Sequence, residues 1–174
     1  GEASRAFTVP LPVTKIVAVE GERYLLSATY DPRKIEWEQA DASQKKELKK
    51  QKEKENWTEL DEIPFWFNGE GYTNKVRQRL YWFDADTSSL TPLTDETTQV
   101  ADFILHSDKR TVVYVWCDYD SVMPLQQKVA IFDLVSREHK KYDPIPGADI
   151  HYADFWKDDI VLLASEGKHQ GLNE

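Results

Sequence analysis

The residues of this chain that could do chemistry are acidic side chains, histidines and a pair of glycines. Asp84-Ala85-Asp86 and Asp118-Tyr119-Asp120 each place two carboxylates two residues apart, and carboxylate oxygens are ligands for divalent metals. Both pairs follow apolar, strand-like runs, where aspartate is typical of turns because its side chain accepts hydrogen bonds from the backbone. We therefore predict turns at these positions rather than a metal site.

The histidines and glycines give no stronger indication of a site. The four histidines, His106, His139, His151 and His169, show no pairing typical of metal ligands, so turn or surface positions are expected. Gly69-Glu70-Gly71 lacks the third glycine of a dinucleotide-binding loop and precedes a strand rather than a helix, which predicts a turn. No cofactor and no metal ion is predicted.

A serine nucleophile also lacks its motif in this sequence. None of the nine serines lies in a Gly-x-Ser-x-Gly turn, which exposes the nucleophile in α/β-hydrolases. Such a catalytic serine is therefore not expected within this chain.

Composition excludes some partners and suggests a compartment. The net charge of −9 argues against nucleic acid, because binding phosphates requires a basic face. No apolar stretch approaches the roughly 18 residues needed to span a bilayer, so no membrane partner is expected. The single cysteine, Cys117, is expected to be a buried apolar residue and fits a reducing, cytoplasmic location. Because the chain begins at Gly1 and ends at Glu174 without natural terminal features, we expect it to be a fragment of a longer protein.

Four strand-like segments recur in the same order at a spacing of about 48 residues. Residues 80–84 match residues 129–133, 49 positions later, and residues 112–115 match residues 160–163, 48 positions later. Four short strands joined by polar turns are typical of a β-propeller blade. The sequence therefore predicts an all-β fold, namely a partial β-propeller of four-stranded antiparallel blades.

The spacing also predicts how the domain is organised. Residues 1–174 are interpreted as a fragment of one propeller domain, with about two full blades and parts of two more. Residues 5–11 are predicted to form an outer strand of the preceding blade. Residues 31–72 are predicted as a mostly helical insertion in the first full blade, and the helix-like middle, 35–56, is polar on all sides. Its basic run is interpreted as a solvated face, with a partner site as the alternative.

The end of the insertion carries a resemblance to a known family. Residues 62–72 read Glu-Ile-Pro-Phe-Trp-Phe-Asn-Gly-Glu-Gly-Tyr, and a basic stretch and a Leu-Tyr strand follow them. This block resembles the N-terminal β-propeller of the prolyl oligopeptidase family, most closely the bacterial members of the acylaminoacyl-peptidase branch. The resemblance implies a substrate-gating, non-catalytic propeller beside a C-terminal α/β-hydrolase domain, which would hydrolyse short peptides or acyl-peptides by a Ser-His-Asp mechanism.

The same resemblance implies the partners and one site residue. The partners would be the chain's own hydrolase domain, absent here, and peptide substrates, so this fragment alone is not expected to be a peptidase. Related exopeptidases hold the N-terminal ammonium of the substrate with propeller acids, which makes Glu62 a candidate substrate-binding residue. The alternative is that the side chain of Glu62 fixes the insertion.

Two other interpretations of the function remain open from the sequence. One is a non-catalytic β-propeller scaffold that binds a protein partner. The other is a propeller enzyme with its site in the central channel, which requires a cluster of carboxylates near the axis that the sequence does not identify. Under any of these, two incomplete ends leave apolar sheet faces open, which predicts self-association of the fragment.

Overall fold

The protein is described by a computed structural model over residues 6–34, 40–54, 60–69 and 71–166. The main elements are, in chain order, β1 (Val13–Glu20), β2 (Arg23–Tyr30), α1 (Ala42–Lys54), β3 (Trp66–Phe67), β4 (Gly71–Tyr72), β5 (Arg77–Asp84), β6 (Ser89–Pro92), β7 (Thr98–Leu105), β8 (Thr111–Asp118), β9 (Lys128–Asp133), β10 (His139–Tyr142), β11 (Ala148–Trp156) and β12 (Asp159–Glu166).

Three antiparallel sheets follow one another along the chain. The first sheet has the strand order β1-β2-β5-β6, the second has the order β7-β8-β9-β10, and the third pairs β11 with β12. A small fourth pair, β3 with β4, lies between β2 and β5 in the sequence. The all-β class and the predicted order of strands in each repeat are confirmed.

The first and second sheets pack face to face. Leu25 and Leu80 of the first sheet are completely buried in one cluster with Val112, Tyr114 and Phe132 of the second. Burying a side chain of this size contributes about 1.5–3 kcal/mol. The interface between these sheets is therefore a main source of stability.

The opposite face of the second sheet packs against the third. Val113, Val115 and Val129 form a cluster with Ile150 and Ala153 of β11. Strand β8 is thus buried on both faces, which explains why its sequence is an unbroken apolar run rather than an alternation.

Equivalent turns in the repeats have the same backbone geometry. Ser88 and Arg137, 49 positions apart, have φ angles of 55° and 63° in the turns after β5 and β9. Lys109 and Lys157, 48 positions apart, both have a φ of 58° in the turns after β7 and β11. Residues other than glycine rarely adopt positive φ. Its recurrence at these spacings therefore shows that the backbone conformation repeats along with the sequence.

Aspartates at the ends of β5 and β9 cap the turns that follow. Asp84 accepts hydrogen bonds from the amide and the hydroxyl of Thr87, both at 3.0 Å, and these bonds lower the pKa of its carboxyl. Hydrogen bonds from the Arg110 side chain and the Ser136 amide lower the pKa of Asp133 to about 2. The turn position predicted for Asp84 is confirmed.

The N-terminal segment differs from the prediction. Residues 6–12 form no strand, so the predicted outer strand at 5–11 is wrong for its described part; Arg5 lies outside the described residues. Pro10 and Pro12 have no amide proton to donate to a neighbouring strand. The segment instead packs its apolar side chains on the free face of the first sheet, where Phe7, Val9 and Leu11 contact the cluster of Leu26, Ala28, Tyr81 and Phe83.

The long connection from β2 to β5 contains α1 and the β3–β4 hairpin. Helix α1 begins with a capping box, in which Asp41 accepts hydrogen bonds from the amides of Ser43 and Gln44, and Gln44 accepts one from the Asp41 amide. The predicted helix is confirmed over α1, while residues 35–39, 55 and 56 of the predicted range lie outside the described part. The hairpin was not predicted. Within the described ranges, no helix combines the length and apolar character needed to cross a membrane.

The outer face of the third sheet is apolar and open. Tyr152, Val161 and Leu163 are 40%, 54% and 47% exposed on the side away from the second sheet. The self-association expected from open sheet faces stays a prediction.

His106 links the second sheet to the third. Its Nδ1 lies 3.1 Å from a carboxylate oxygen of Asp108, its Nε2 lies 3.0 Å from the carbonyl oxygen of Lys157, and its ring packs on Phe155 at 4.6 Å between centroids. Both nitrogens can donate only when the ring is protonated. The hydrogen bond to Asp108 accordingly raises the pKa of His106 above its usual value.

This link predicts a pH-dependent contribution to stability. Because the folded-state pKa is raised, the stabilisation is complete below the unfolded-state pKa of about 6.5 and is lost as the pH rises through the folded value. We expect the difference in melting temperature between the wild type and His106→Gln to be largest near pH 5.5 and to shrink above neutrality. A difference that stays constant from pH 5.5 to 8.5 would contradict the link.

Candidate functional site

A buried ion pair joins the end of the insertion to the start of β5. Arg77 Nη1 lies 2.9 Å from Glu62 Oε1, and Arg77 Nη2 lies 2.5 Å from Glu62 Oε2. The side chains of Arg77 and Glu62 are only 1% and 0% exposed. Glu62 Oε1 also accepts a hydrogen bond of 3.2 Å from the amide of Lys75. The pair is therefore bidentate and almost completely shielded from water.

Every N–H of the Arg77 guanidinium has an acceptor. Besides Glu62, it donates to the carbonyl oxygens of Val76 at 2.9 Å, Tyr119 at 3.0 Å and Thr97 at 3.3 Å. Its Cζ also lies 3.6 Å from the centroid of the Tyr119 ring. A buried charge is tolerated only when it is paired and fully hydrogen-bonded, and this arrangement meets that requirement. One side chain thus cross-links the insertion, β5, the turn before β7 and the loop after β8.

A second set of contacts fixes the insertion to the loop after β8. The Ile63 amide donates to Ser121 O at 2.7 Å, and the Met123 amide donates to Ile63 O at 2.8 Å, which makes a short parallel bridge. Nearby, Lys75 Nζ pairs with Asp120 at 3.0 Å and with Asp61 at 3.3 Å. The connection that leaves the first sheet is therefore attached to the second. We name the Glu62–Arg77 ion pair, which is the centre of this attachment, the anchor.

The β3–β4 hairpin next to this anchor carries four exposed aromatic side chains, which we name the hairpin aromatics. Phe65, Trp66, Phe67 and Tyr72 are 42%, 51%, 43% and 53% exposed. Trp66 and Tyr72 face each other across the hairpin with their rings edge-to-face at 5.1 Å. Large aromatic side chains grouped at a surface are characteristic of binding sites.

A cleft of about 690 Å³ opens beside the hairpin aromatics. It lies between the first sheet, the insertion and the loop after β8, and it is lined by Pro12, Thr14, Thr29, Asp31, Arg33, Lys34, Phe67, Tyr72, Thr73, Val76, Arg77, Gln78, Gln99, Tyr119 and Met123. The cleft thus combines an aromatic wall with charged and polar groups, as ligand sites commonly do.

Of the predicted site residues, Glu62 lies in the anchor, and the described histidines lie at separate positions. Glu62 lies at the centre of the anchor, with both carboxylate oxygens engaged by Arg77. Its substrate-binding role stays a prediction. Three of the histidines have separate partners: His106 bonds as described above, His139 contacts the Tyr114 hydroxyl, and His151 contacts Ser165; His169 lies outside the described residues.

Metal-binding groups do not converge in the described ranges. There, no group of three or more His, Cys, Asp or Glu side chains is placed to hold a metal ion. Cys117 is buried and free, and burial raises the pKa of its thiol to about 11, which disfavours the nucleophilic thiolate.

The sequence interpretation missed Arg77 and the hairpin aromatics. Arg77 begins β5, whose first three residues are Arg-Gln-Arg, and a charged residue at the start of a strand gives no signal of burial. The hairpin aromatics were taken only as part of a motif, although the sequence places three consecutive aromatic residues, Phe65, Trp66 and Phe67, just before a glycine turn. The anchor beside the hairpin aromatics joins segments that are distant in sequence, so the position of these rings could not be read from their local sequence.

Comparisons with known proteins give little likeness. No model of a protein family matches the chain, and no curated protein matches it. Among solved structures, the chain is similar to one described as the crystal structure of cobalt-substituted Synechocystis ACO, with 12% sequence identity and a TM-score of 0.47. The match covers 94% of this chain and 33% of that chain, so this chain spans about a third of that protein's length.

The predicted membership of the prolyl oligopeptidase family is wrong. No model of that family and no curated peptidase matches the chain. The expected Ser-His-Asp hydrolysis of short peptides or acyl-peptides is wrong with it. The expected partners, a hydrolase domain and peptide substrates, stay predictions. The block that suggested the family has a local explanation, because Glu62 pairs with Arg77 and because Gly69 and Gly71 adopt the positive φ angles, 86° and 79°, of the hairpin turn.

Mutation of the anchor is expected to lower stability strongly, and more so when only Glu62 is replaced than when Glu62 and Arg77 are replaced together. Glu62→Gln leaves the Arg77 charge buried without its partner and should cost about 3–5 kcal/mol in the free energy of unfolding, measured by urea denaturation. Replacing both residues, as Glu62→Leu with Arg77→Met, should cost less than Glu62→Gln alone because no buried charge remains. Asp61→Asn, which removes an exposed pair with Lys75, is the control and should cost much less than Glu62→Gln. Equal costs for Glu62→Gln and Asp61→Asn would contradict the anchor.

Proposed function

We propose that the chain is part of a β-propeller, in which the first and second sheets are two complete blades and the third is part of another. On this proposal, residues 1–174 belong to one propeller domain and residues 31–72 are inserted in its first complete blade. Support comes from the face-to-face packing of successive sheets and from turns that recur every 48 or 49 residues. A cytoplasmic location is part of the proposal and is supported by the free, buried Cys117.

We propose that this module binds a peptide segment of a partner protein across the hairpin aromatics. The observation that carries the proposal is that four exposed aromatic rings sit on a hairpin anchored by a fully satisfied buried ion pair. Exposing aromatic surface to water is unfavourable, and rings held in place lose little conformational entropy when a partner covers them. Aromatic side chains held in this way are typical of the residues that dominate binding energy in interfaces.

The test is a selection of peptides from a displayed random library on the purified chain. We expect enriched peptides that bind the wild type with micromolar affinity and lose at least tenfold in affinity to Trp66→Ala with Tyr72→Ala, since these rings supply the contact surface. The control is Trp156→Ala, which removes a 61% exposed tryptophan of the third sheet and should leave binding unchanged. The melting temperature of each variant verifies folding.

Two results would overturn the proposal. One is a selection in which no peptide is enriched above an unrelated all-β protein. The other is a set of peptides whose affinity is the same for the wild type and for the double variant.

A further inference from the structure

The cleft beside the hairpin aromatics has a local charge opposite to that of the chain. The chain carries a net charge of −9. Among the described residues at the cleft, Arg33, Lys34 and Arg77 supply three positive charges, and Asp31 and the Glu62 behind Arg77 supply two negative charges, so one positive charge is left over in that set. The cleft therefore favours an anionic group in a chain that otherwise repels anions.

The two carboxylates at the cleft are already engaged. Asp31 is held by Arg33, with Nε at 3.0 Å from Oδ1 and Nη2 at 3.2 Å from Oδ2, and its side chain is only 11% exposed. Glu62 is held by Arg77. The exposed cations are Arg33, which retains donors beyond its two bonds to Asp31, and Lys34. The positive charge that a ligand can reach therefore comes from Arg33 and Lys34.

A buried hydroxyl in the cleft wall lacks a partner. Thr73 is 9% exposed and its Oγ1 makes no hydrogen bond within the described residues, while its amide donates to Phe65 O at 3.0 Å. A buried polar group without a partner is unfavourable, and a ligand that accepts a hydrogen bond from it would remove that cost. Since the backbone of Thr73 is bonded to the hairpin segment, this donor is fixed next to the aromatic wall.

We propose that the cleft binds a carboxylate of the partner peptide. Lys34 and the remaining donors of Arg33 attract the carboxylate, and an apolar side chain of the same peptide packs on Phe67 and Tyr72. The Thr73 hydroxyl, which is closed off from solvent in the structure, donates a hydrogen bond to the carboxylate once its side chain rotates toward the cleft. The inference rests on the proposed peptide-binding function and adds the chemical class of peptide. The carboxylate belongs either to an acidic side chain or to the C-terminus of the peptide, and the two sources require the same chemistry from the cleft.

The experiment uses two pairs of probes that differ only in charge. N-acetyl-phenylalanine and N-acetyl-phenylalaninamide test the terminal carboxylate, and the amidated dipeptides N-acetyl-Phe-Asp and N-acetyl-Phe-Asn test the side-chain carboxylate. Affinities come from chemical shift titrations of the ¹⁵N-labelled chain at low salt, followed at the amides of Thr73 and Val76. We expect the acid of at least one pair to bind at least fivefold more tightly than its neutral partner, and that pair identifies the source.

Variants test whether the acid binds in the cleft rather than at any exposed lysine. Lys34→Met should reduce the preference for the acid to less than twofold, and Thr73→Val should reduce the affinity for the acid about threefold or more. Lys140→Met removes an exposed lysine of β10, outside the cleft lining, and should leave the preference unchanged.

The outcomes distinguish this inference from the proposed function. Equal affinities for acid and neutral probes would overturn the inference. So would peptides from the displayed library that depend on Trp66 but bind Lys34→Met as tightly as the wild type, and in that case the proposed function stands. If neither the probes nor any library peptide binds, the inference and the proposed function both fail.

Discussion

The structure around the candidate site depends on the cost of burying an unpaired charge. Arg77 lies at the start of a core strand with almost no contact with water, and it is stable there only if its charge and all its N–H groups are matched. Glu62 matches the charge, and carbonyl oxygens from three other positions match the remaining donors. These bonds join the end of the insertion, where the hairpin begins, to both sheets.

The stacked sheets provide the rigid support for this arrangement. The second sheet is covered on both faces, and its strand β8 leads directly into the loop whose Tyr119 carbonyl accepts a hydrogen bond from Arg77. The first sheet supplies Arg77 itself at the start of β5. Apolar burial therefore holds the two sheets at a fixed distance. The Glu62–Arg77 pair bridges this distance next to the hairpin aromatics and the cleft.

The sequence predicted the parts of the fold that are local or periodic. Apolar runs such as residues 112–115 and turn aspartates such as Asp84 predicted the strands and their order, because strand pairing between neighbours needs only short-range information. The anchor could not be predicted in this way, since Glu62 and Tyr119 are brought together only by packing of whole sheets. The peptidase interpretation failed for a different reason, because the block at residues 62–72, which has a local structural role, was taken as a mark of family and function.

The most direct test of the anchor is ¹⁵N relaxation of the hairpin amides in the wild type and in the variant Glu62→Leu with Arg77→Met. The account predicts that residues 65–69 in the wild type are as ordered as the amides of β5, with order parameters near 0.85. In the variant, order is predicted to fall below about 0.6 in the hairpin alone while β5 and β8 keep theirs. A hairpin that is already mobile in the wild type, or one that stays equally ordered without the ion pair, would contradict the claim that this pair holds the site in place.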